Sequence, residues 1–243
     1  MHVAVQGMAS VPAVRNVGRQ RDTLVDMAYK ELLEAILYRR LQPGEPLGLD
    51  RMAAQLGMSR TPVNLALSRL HGDGLVSYLE HVGFVVRVLT EKELYDIFDL
   101  RLLYEQHAVE SGLASAPAAC IEKVAALHEE IKLSTDWVDP EAYRRFWELD
   151  GQFHRAIVRL SPNELLQEWF GRLHYHMLGV RLGLLAREAL PFELMFREHD
   201  AIVGALRAAD VAAAREALRR HITRSCEVSI ARLAKANAAA SGT

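Results

Sequence analysis

The sequence predicts a mainly α-helical chain in two parts: three helices and a small β-hairpin in front, and an all-helical bundle behind. Three observations carry that prediction. Apolar residues recur at helical spacing over most of the chain, the pattern changes to a strand reading once, between Leu75 and Leu89, and Thr90 with Glu93 restarts a helix at once.

Composition sets the outer bounds. At 243 residues, 50% of them hydrophobic, the chain is long enough for two modest domains with a real core. There is no apolar run of the roughly 18 residues that a membrane span needs, and Met1 to Gln20 lack the pattern of a secretory signal. A cytoplasmic chain with no membrane partner is expected. The two cysteines, Cys120 and Cys226, lack CxxC spacing, which argues against a disulfide framework or a cysteine-based zinc ribbon. The net charge is −2, with ten Lys/Arg against eight Asp/Glu in residues 1–90 and nineteen against twenty-three beyond. So slight an asymmetry permits a nucleic-acid partner without requiring one.

Residues 1–22 show neither helical nor strand period and read as a flexible lead-in. The first domain is expected over 23–89. Leu24, Met27, Leu32, Ala35 and Ile36 mark a helix running to Arg40, stopped by the turn Gln42-Pro43-Gly44. A second helix spans Leu49 to Leu56 and ends at Gly57. Ser59 is placed to cap a third, Arg60 to His71, with Pro62 tolerated in its first turn. After Gly72 and Gly74, Leu75–Leu79 and Phe84–Leu89 form a hairpin around Gly83. The second domain, 90–236, reads helical throughout. Pro117, Asp139-Pro140, Ser161-Pro162, Leu190-Pro191 and Asp210 divide it into six or seven helices, and 237–243 reads as a flexible tail.

Three helices and a hairpin in this order make a winged helix-turn-helix, whose third helix enters the major groove of DNA. Val63, Ala66, Leu67 and Leu70 repeat at core spacing, which turns Arg60, Thr61, Asn64 and Ser68 outward. That face has donors and no acid: Arg forks onto guanine, Asn pairs with adenine, and hydroxyls reach phosphates. Ser59 at the helix start and His81 and Gly83 in the wing complete the expected contact set. An ordinary small helix with a solvated polar face would look the same, so the neighbouring residues matter.

The segment Leu56-Gly57-Met58-Ser59-Arg60-Thr61-Pro62-Val63, then Ala66-Leu67-Ser68-Arg69-Leu70 and Gly74-Leu75-Val76, closely resembles the GntR family of bacterial regulators. Pro43-Gly44-Glu45-Pro46-Leu47 and Gly83-Phe84-Val85-Val86 are similar to that family as well. The likeness covers residues 24–90 and implies a double-stranded DNA operator as partner. Two positions depart from the pattern: Asn64 and Leu65 stand where the family has Arg then Glu. Loss of a forking Arg changes discrimination by about 1–3 kcal/mol per base pair. Glu80 and His81 likewise replace a more basic wing tip.

In the second domain the informative residues are polar ones on apolar stripes, because a buried polar group needs a partner. Asp150 and His154 lie one turn apart on a face shared with Trp147 and Ile157; His199 shares a face with Met195 and Ile202, and His221 with Leu218 and Val228. One carboxylate and three imidazoles from three helices suit a divalent transition metal, zinc first, with nickel or manganese as alternatives. The spacing is equally that of four separate hydrogen-bonded residues. Asp150-Gly-Gln-Phe153-His154, His199 and His221 resemble the metal-binding form of the FadR C-terminal domain (FCD), over roughly residues 91–236. That resemblance implies a ligand-sensing bundle, and its first-helix pattern makes Arg101 the clamp on an effector carboxylate, with Glu105 structural. Other residues weigh less. His174 and His176, two apart on a helix, face different ways, while Trp137, Trp147 and Trp169 are expected in the core. The arginines from Arg215 to Arg224 are expected on a solvated face.

The expected function is a homodimeric DNA-binding repressor, with no catalytic residues, controlled by a small carboxylate metabolite at the metal site. Two rivals remain at this point: a metal-dependent hydrolase using the Asp/His group, against which there is no HExxH and no nucleophile elbow, and an interaction protein whose histidines are structural.

Overall fold

The computed structural model describes residues 23–38, 40–133, 140–183 and 192–241; the 1–22 segment and Trp137 lie outside them. Helix α1 (Leu24–Leu37) opens on a capping box in which Thr23 and Asp26 each accept from the other's backbone amide at 3.2 Å. Its buried stripe is Ala28, Tyr29, Leu32 and Ile36. Leu24 and Met27, predicted for that stripe, are 57% and 46% exposed, Leu24 at the open end of the helix and Met27 one residue round from the packed face. The helix ends at Leu37, short of the predicted Arg40.

Helix α2 (Leu49–Leu56) stops as predicted at Gly57, whose φ of 63° is the left-handed conformation that glycine adopts without penalty. Helix α3 (Arg60–Gly72) begins after Ser59, which has the extended backbone of an N-cap but makes no capping hydrogen bond with its side chain. Proline removes one of the two amides such a cap can use. A capping hydroxyl accepts from the second or third helical amide, and the third residue here is Pro62, which has none. Val63, Ala66, Leu67 and Leu70 are fully buried, as the spacing predicts.

Strands β1 (Val76–Leu79) and β2 (Gly83–Val86) pair antiparallel, from Val76 opposite Val86 to Leu79 opposite Gly83. The second strand is shorter than the predicted Phe84–Leu89. On its other edge the Pro43–Leu47 run adds a short third segment: Gly44 donates to Val86 O at 2.8 Å, Val86 to Glu45 O at 3.0 Å, and Leu47 to Phe84 O at 2.7 Å.

Helix α4 (Glu91–Gly112) follows directly under the Thr90 capping box. Arg87 donates to Gly74 O at 3.2 Å and also to Glu93, so the wing is tied to the first turn of α4. The Thr90 amide and the Arg87 guanidinium hold the Glu93 carboxylate down to about 2. A carboxylate depressed from 4.5 contributes stability that is complete above that value and is lost as pH falls through about 2. Glu93→Gln is therefore expected to flatten the acid limb of thermal stability between pH 4.5 and 3, read by melting scans. A chain whose acid limb is unchanged by the substitution contradicts this role.

After a 3-10 turn (Leu113–Ser115) come α5 (Ala118–Leu133), α6 (Pro140–Val158), α7 (Glu164–Gly183), α8 (Phe192–Arg207) and α9 (Val211–Ser241). Six α-helices thus make the bundle among the described residues. Helix α9 runs on through Ala236 to Ser241, past the point where the sequence reading ends the domain. Helix α4 packs on α6, α7 and α9, while α8 joins α5 to α9, around Phe146, Phe153, Ile157, Phe170 and Leu206. Trp147 is buried in this core, but Trp169 is 54% exposed under the Arg172 guanidinium, which corrects its core assignment. The two domains also touch: α1 packs on α7, and the Tyr38 hydroxyl donates to Glu148 of α6 at 3.4 Å.

Candidate metal centre and nucleic-acid interface

Helix periodicity places Asp150 and His154 one turn apart on the inner face of α6. His199 of α8 and His221 of α9 meet them there. All four are 2% exposed or less, and one donor atom from each lies within 4.8 Å of the others. Asp150 Oδ1 is 3.6 Å from His199 Nε2 and 3.8 Å from His154 Nε2. The four predicted ligands are therefore brought together.

What surrounds them decides which nitrogen each ring offers. Glu105 of α4 accepts from His154 Nδ1 at 2.7 Å and from Arg101 Nε at 2.7 Å. Glu198 of α8 accepts from His221 Nδ1 at 2.9 Å and from Arg224. An ionised carboxylate only accepts, which places hydrogen on Nδ1 of both rings; in the neutral form Nε2 is then the lone pair that faces the group around Asp150. His199 is held differently, stacked on Phe153 with ring centroids 4.2 Å apart. Glu105, read as merely structural in the sequence, orients a histidine. Glu198 went unread: it sits 23 residues from His221 in sequence, and no periodicity joins the two.

Arg101 is wholly buried beside this group, with Nη2 3.5 Å from His221 Nε2 and with Nη1 lacking any hydrogen-bond partner among the described residues. A second group, His128, Glu129 and Asp200, also has donor atoms close together. There the Lys132 ammonium already bridges Glu129 at 3.0 Å and Asp200 at 2.7 Å, supplying the positive charge itself. The side chains of His174 and His176 lie outside the described residues.

In the first domain Ser59, Arg60, Thr61, Asn64 and Ser68 are all exposed, as a groove-reading face requires. Among the described residues Arg60 makes one solvent-exposed ion pair, with Asp50 at 3.3 Å, a contact weak enough to be exchanged for another partner. His81 is exposed at the wing tip in a left-handed conformation, φ 66°, beside Glu80 at 3.8 Å, and Gly83 is partly buried. Leu65 is 51% exposed on the same helix.

Residues 24–86 match the family of bacterial regulatory proteins called gntR, and residues 96–224 match the FCD domain. The chain belongs to the GntR family. The Nta operon transcriptional regulator of Aminobacter aminovorans is 35% identical over 51% of this chain and 58% of its own length. A probable D-xylose utilization operon transcriptional repressor from Paenarthrobacter nicotinovorans is 31% identical over 83% of this chain and 87% of its own. In fold, the chain is similar to E. coli McbR/YncC, with a TM-score of 0.69, 23% identity, and coverage of 85% of this chain and 97% of that one. GntR-family chains are DNA-binding transcription regulators and not enzymes, which answers the hydrolase reading of the Asp/His group. Among the described residues no helix is long and apolar enough to cross a membrane.

Proposed function

We propose that this GntR regulator is a repressor whose hold on its operator is governed by a small organic acid bound at a divalent metal in the bundle. The supporting observation is the convergence of Asp150, His154, His199 and His221, all buried, with donor atoms within 4.8 Å of one another. The donor set fits the group: one carboxylate and three imidazoles, two of them fixed by Glu105 and Glu198 in the tautomer that exposes Nε2. Zinc is the first choice, nickel or manganese the alternatives, and when bound it supplies a Lewis-acid anchor for an anionic oxygen. Arg101 adds a fixed cation, and its unpartnered Nη1 donates to the acid's carboxylate.

Helices α8 and α9 are drawn together at this site, and α6 carries ligands on one face and the Glu148 contact to Tyr38 nearby. Occupancy thereby biases the arrangement of the bundle against α1, and with it the spacing of two recognition helices in a homodimer. Those helices meet half-sites about 34 Å apart, or closer, on a partly palindromic operator. The acid acts by preferring one arrangement, and operator DNA weakens acid binding by the same factor.

Arg60→Ala tests the reading of DNA by α3. It is expected to weaken operator binding by about 1–3 kcal/mol while changing binding to random duplex much less, in anisotropy titrations at one fixed salt. Equal losses on both duplexes make Arg60 a phosphate contact only and remove it from base reading.

A further inference from the structure

Two residues that touch the Asp/His group, Arg101 beside His221 and His128 beside His199, each carry a fully buried polar atom with no hydrogen-bond partner among the described residues, and the two atoms are of opposite kind. One is the donor Arg101 Nη1. The other is His128 Nδ1, on α5. The His128 ring is 1% exposed and stands edge-on to His199, with centroids 5.3 Å apart, and 6.0 Å from the Phe153 ring that stacks on His199. Its other nitrogen, Nε2, is 2.8 Å from Asp200 Oδ1, a carboxylate that also pairs with Lys132. That carboxylate accepts, so Nε2 carries the hydrogen, and in the neutral ring Nδ1 is then a bare lone pair. The two nitrogens of an imidazole point in nearly opposite directions. Asp200 is 54% exposed and lies toward solvent, so Nδ1 is turned to the interior.

A buried acceptor without a donor is rare and costly, and it signals a missing hydrogen-bond partner. We propose that His128 reads the effector, and that the effector is a small hydroxy acid: its carboxylate pairs with Arg101 Nη1 and its hydroxyl donates to His128 Nδ1. An ammonium group would also donate, but it would bring positive charge toward Arg101 and the metal. A hydroxyl does so at no electrostatic cost. This inference rests on the effector reading above and adds to it the residue that selects the ligand and the group it selects.

Calorimetric titration of zinc-loaded protein with matched acids tests it: lactate against propionate, malate against succinate, and alanine as the amino counterpart of lactate. The hydroxy acids are expected to bind about tenfold more tightly than their deoxy partners, the worth of one buried hydrogen bond, and alanine no better than propionate. His128→Phe is expected to abolish that preference with zinc content unchanged. His128→Asn, which places an amide oxygen near the Nδ1 position, is expected to restore part of it and serves as well should the Phe variant fail to fold. A hydroxyl preference that survives in both variants would come from chelation by the metal alone, and would overturn the role of His128. Equal affinities within each pair for the wild type would overturn the hydroxy-acid assignment while leaving an acid effector in place. No binding by any acid removes the effector reading and this inference together.

Discussion

Gly112→Ala is expected to destabilise the bundle by roughly 3 kcal/mol or more, lowering its melting temperature by about 10 °C. The cause is backbone against backbone. A Cβ at this last residue of α4 would lie 1.9 Å from Leu160 O, 2.3 Å from Leu160 C and 2.7 Å from Ser161 N. No rotamer relieves such a contact, because none of the opposing atoms belongs to a flexible side chain. Ser111 donates to Ser161 at 3.0 Å beside it, so the end of α4 and the turn after α6 close on each other without spare room. Either the turn shifts or α4 does, and α4 carries Arg101 and Glu105 while α6 carries Asp150 and His154. The variant is therefore expected to lose metal affinity as well, although position 112 touches none of the four ligands. A melting temperature within a degree of wild type would show that the α4–α6 contact is looser than this geometry requires.

Asp150→Ala is expected to lower zinc affinity by at least ~100-fold, more than loss of an outer-shell partner such as Glu198→Gln, which should cost about 10- to 100-fold. Asp150 is the one carboxylate among the four candidate ligands, and the three imidazoles left behind would attract a dication much more weakly. Zinc at about 100 times its Kd stabilises the wild type by ~2.7 kcal/mol, so its melting temperature should rise on loading while that of the variant stays put. His199→Ala should behave similarly. The winged domain has its own core of Leu32, Met52, Val63, Leu67 and Leu70, so both variants should keep binding to random duplex. Full metal occupancy in both would show that the ligand set is wrongly drawn.

The helices and the hairpin were legible in the sequence because each follows a local rule. Gly57 ends α2 in the left-handed conformation, the Thr90–Glu93 box starts α4, and the Val63/Ala66/Leu67/Leu70 spacing fixes which side of α3 is buried. The four candidate ligands were legible for the related reason that each interrupts an apolar stripe. What stayed hidden depends on contacts across the fold. Ser59 looks like a cap, but Pro62 removes one of the two amides that it could serve and its side chain makes no capping bond. Glu198, Arg224 and His128 acquire partners only once α5, α8 and α9 are placed side by side, and Trp169 is exposed although its residue type reads as core. No spacing within one helix carries that information.

In the proposed regulator α3 selects a duplex and the buried Asp/His centre decides when it does so. The most direct measurement is anisotropy titration of duplex from upstream of the chain's own gene against scrambled duplex, at moderate salt, with protein that is chelated, zinc-loaded, or zinc-loaded with malate. The expected result is upstream binding tighter than scrambled by about a thousandfold or more in at least one metal state, weakened on adding the acid. Equal affinity for the two duplexes in all three states would contradict it.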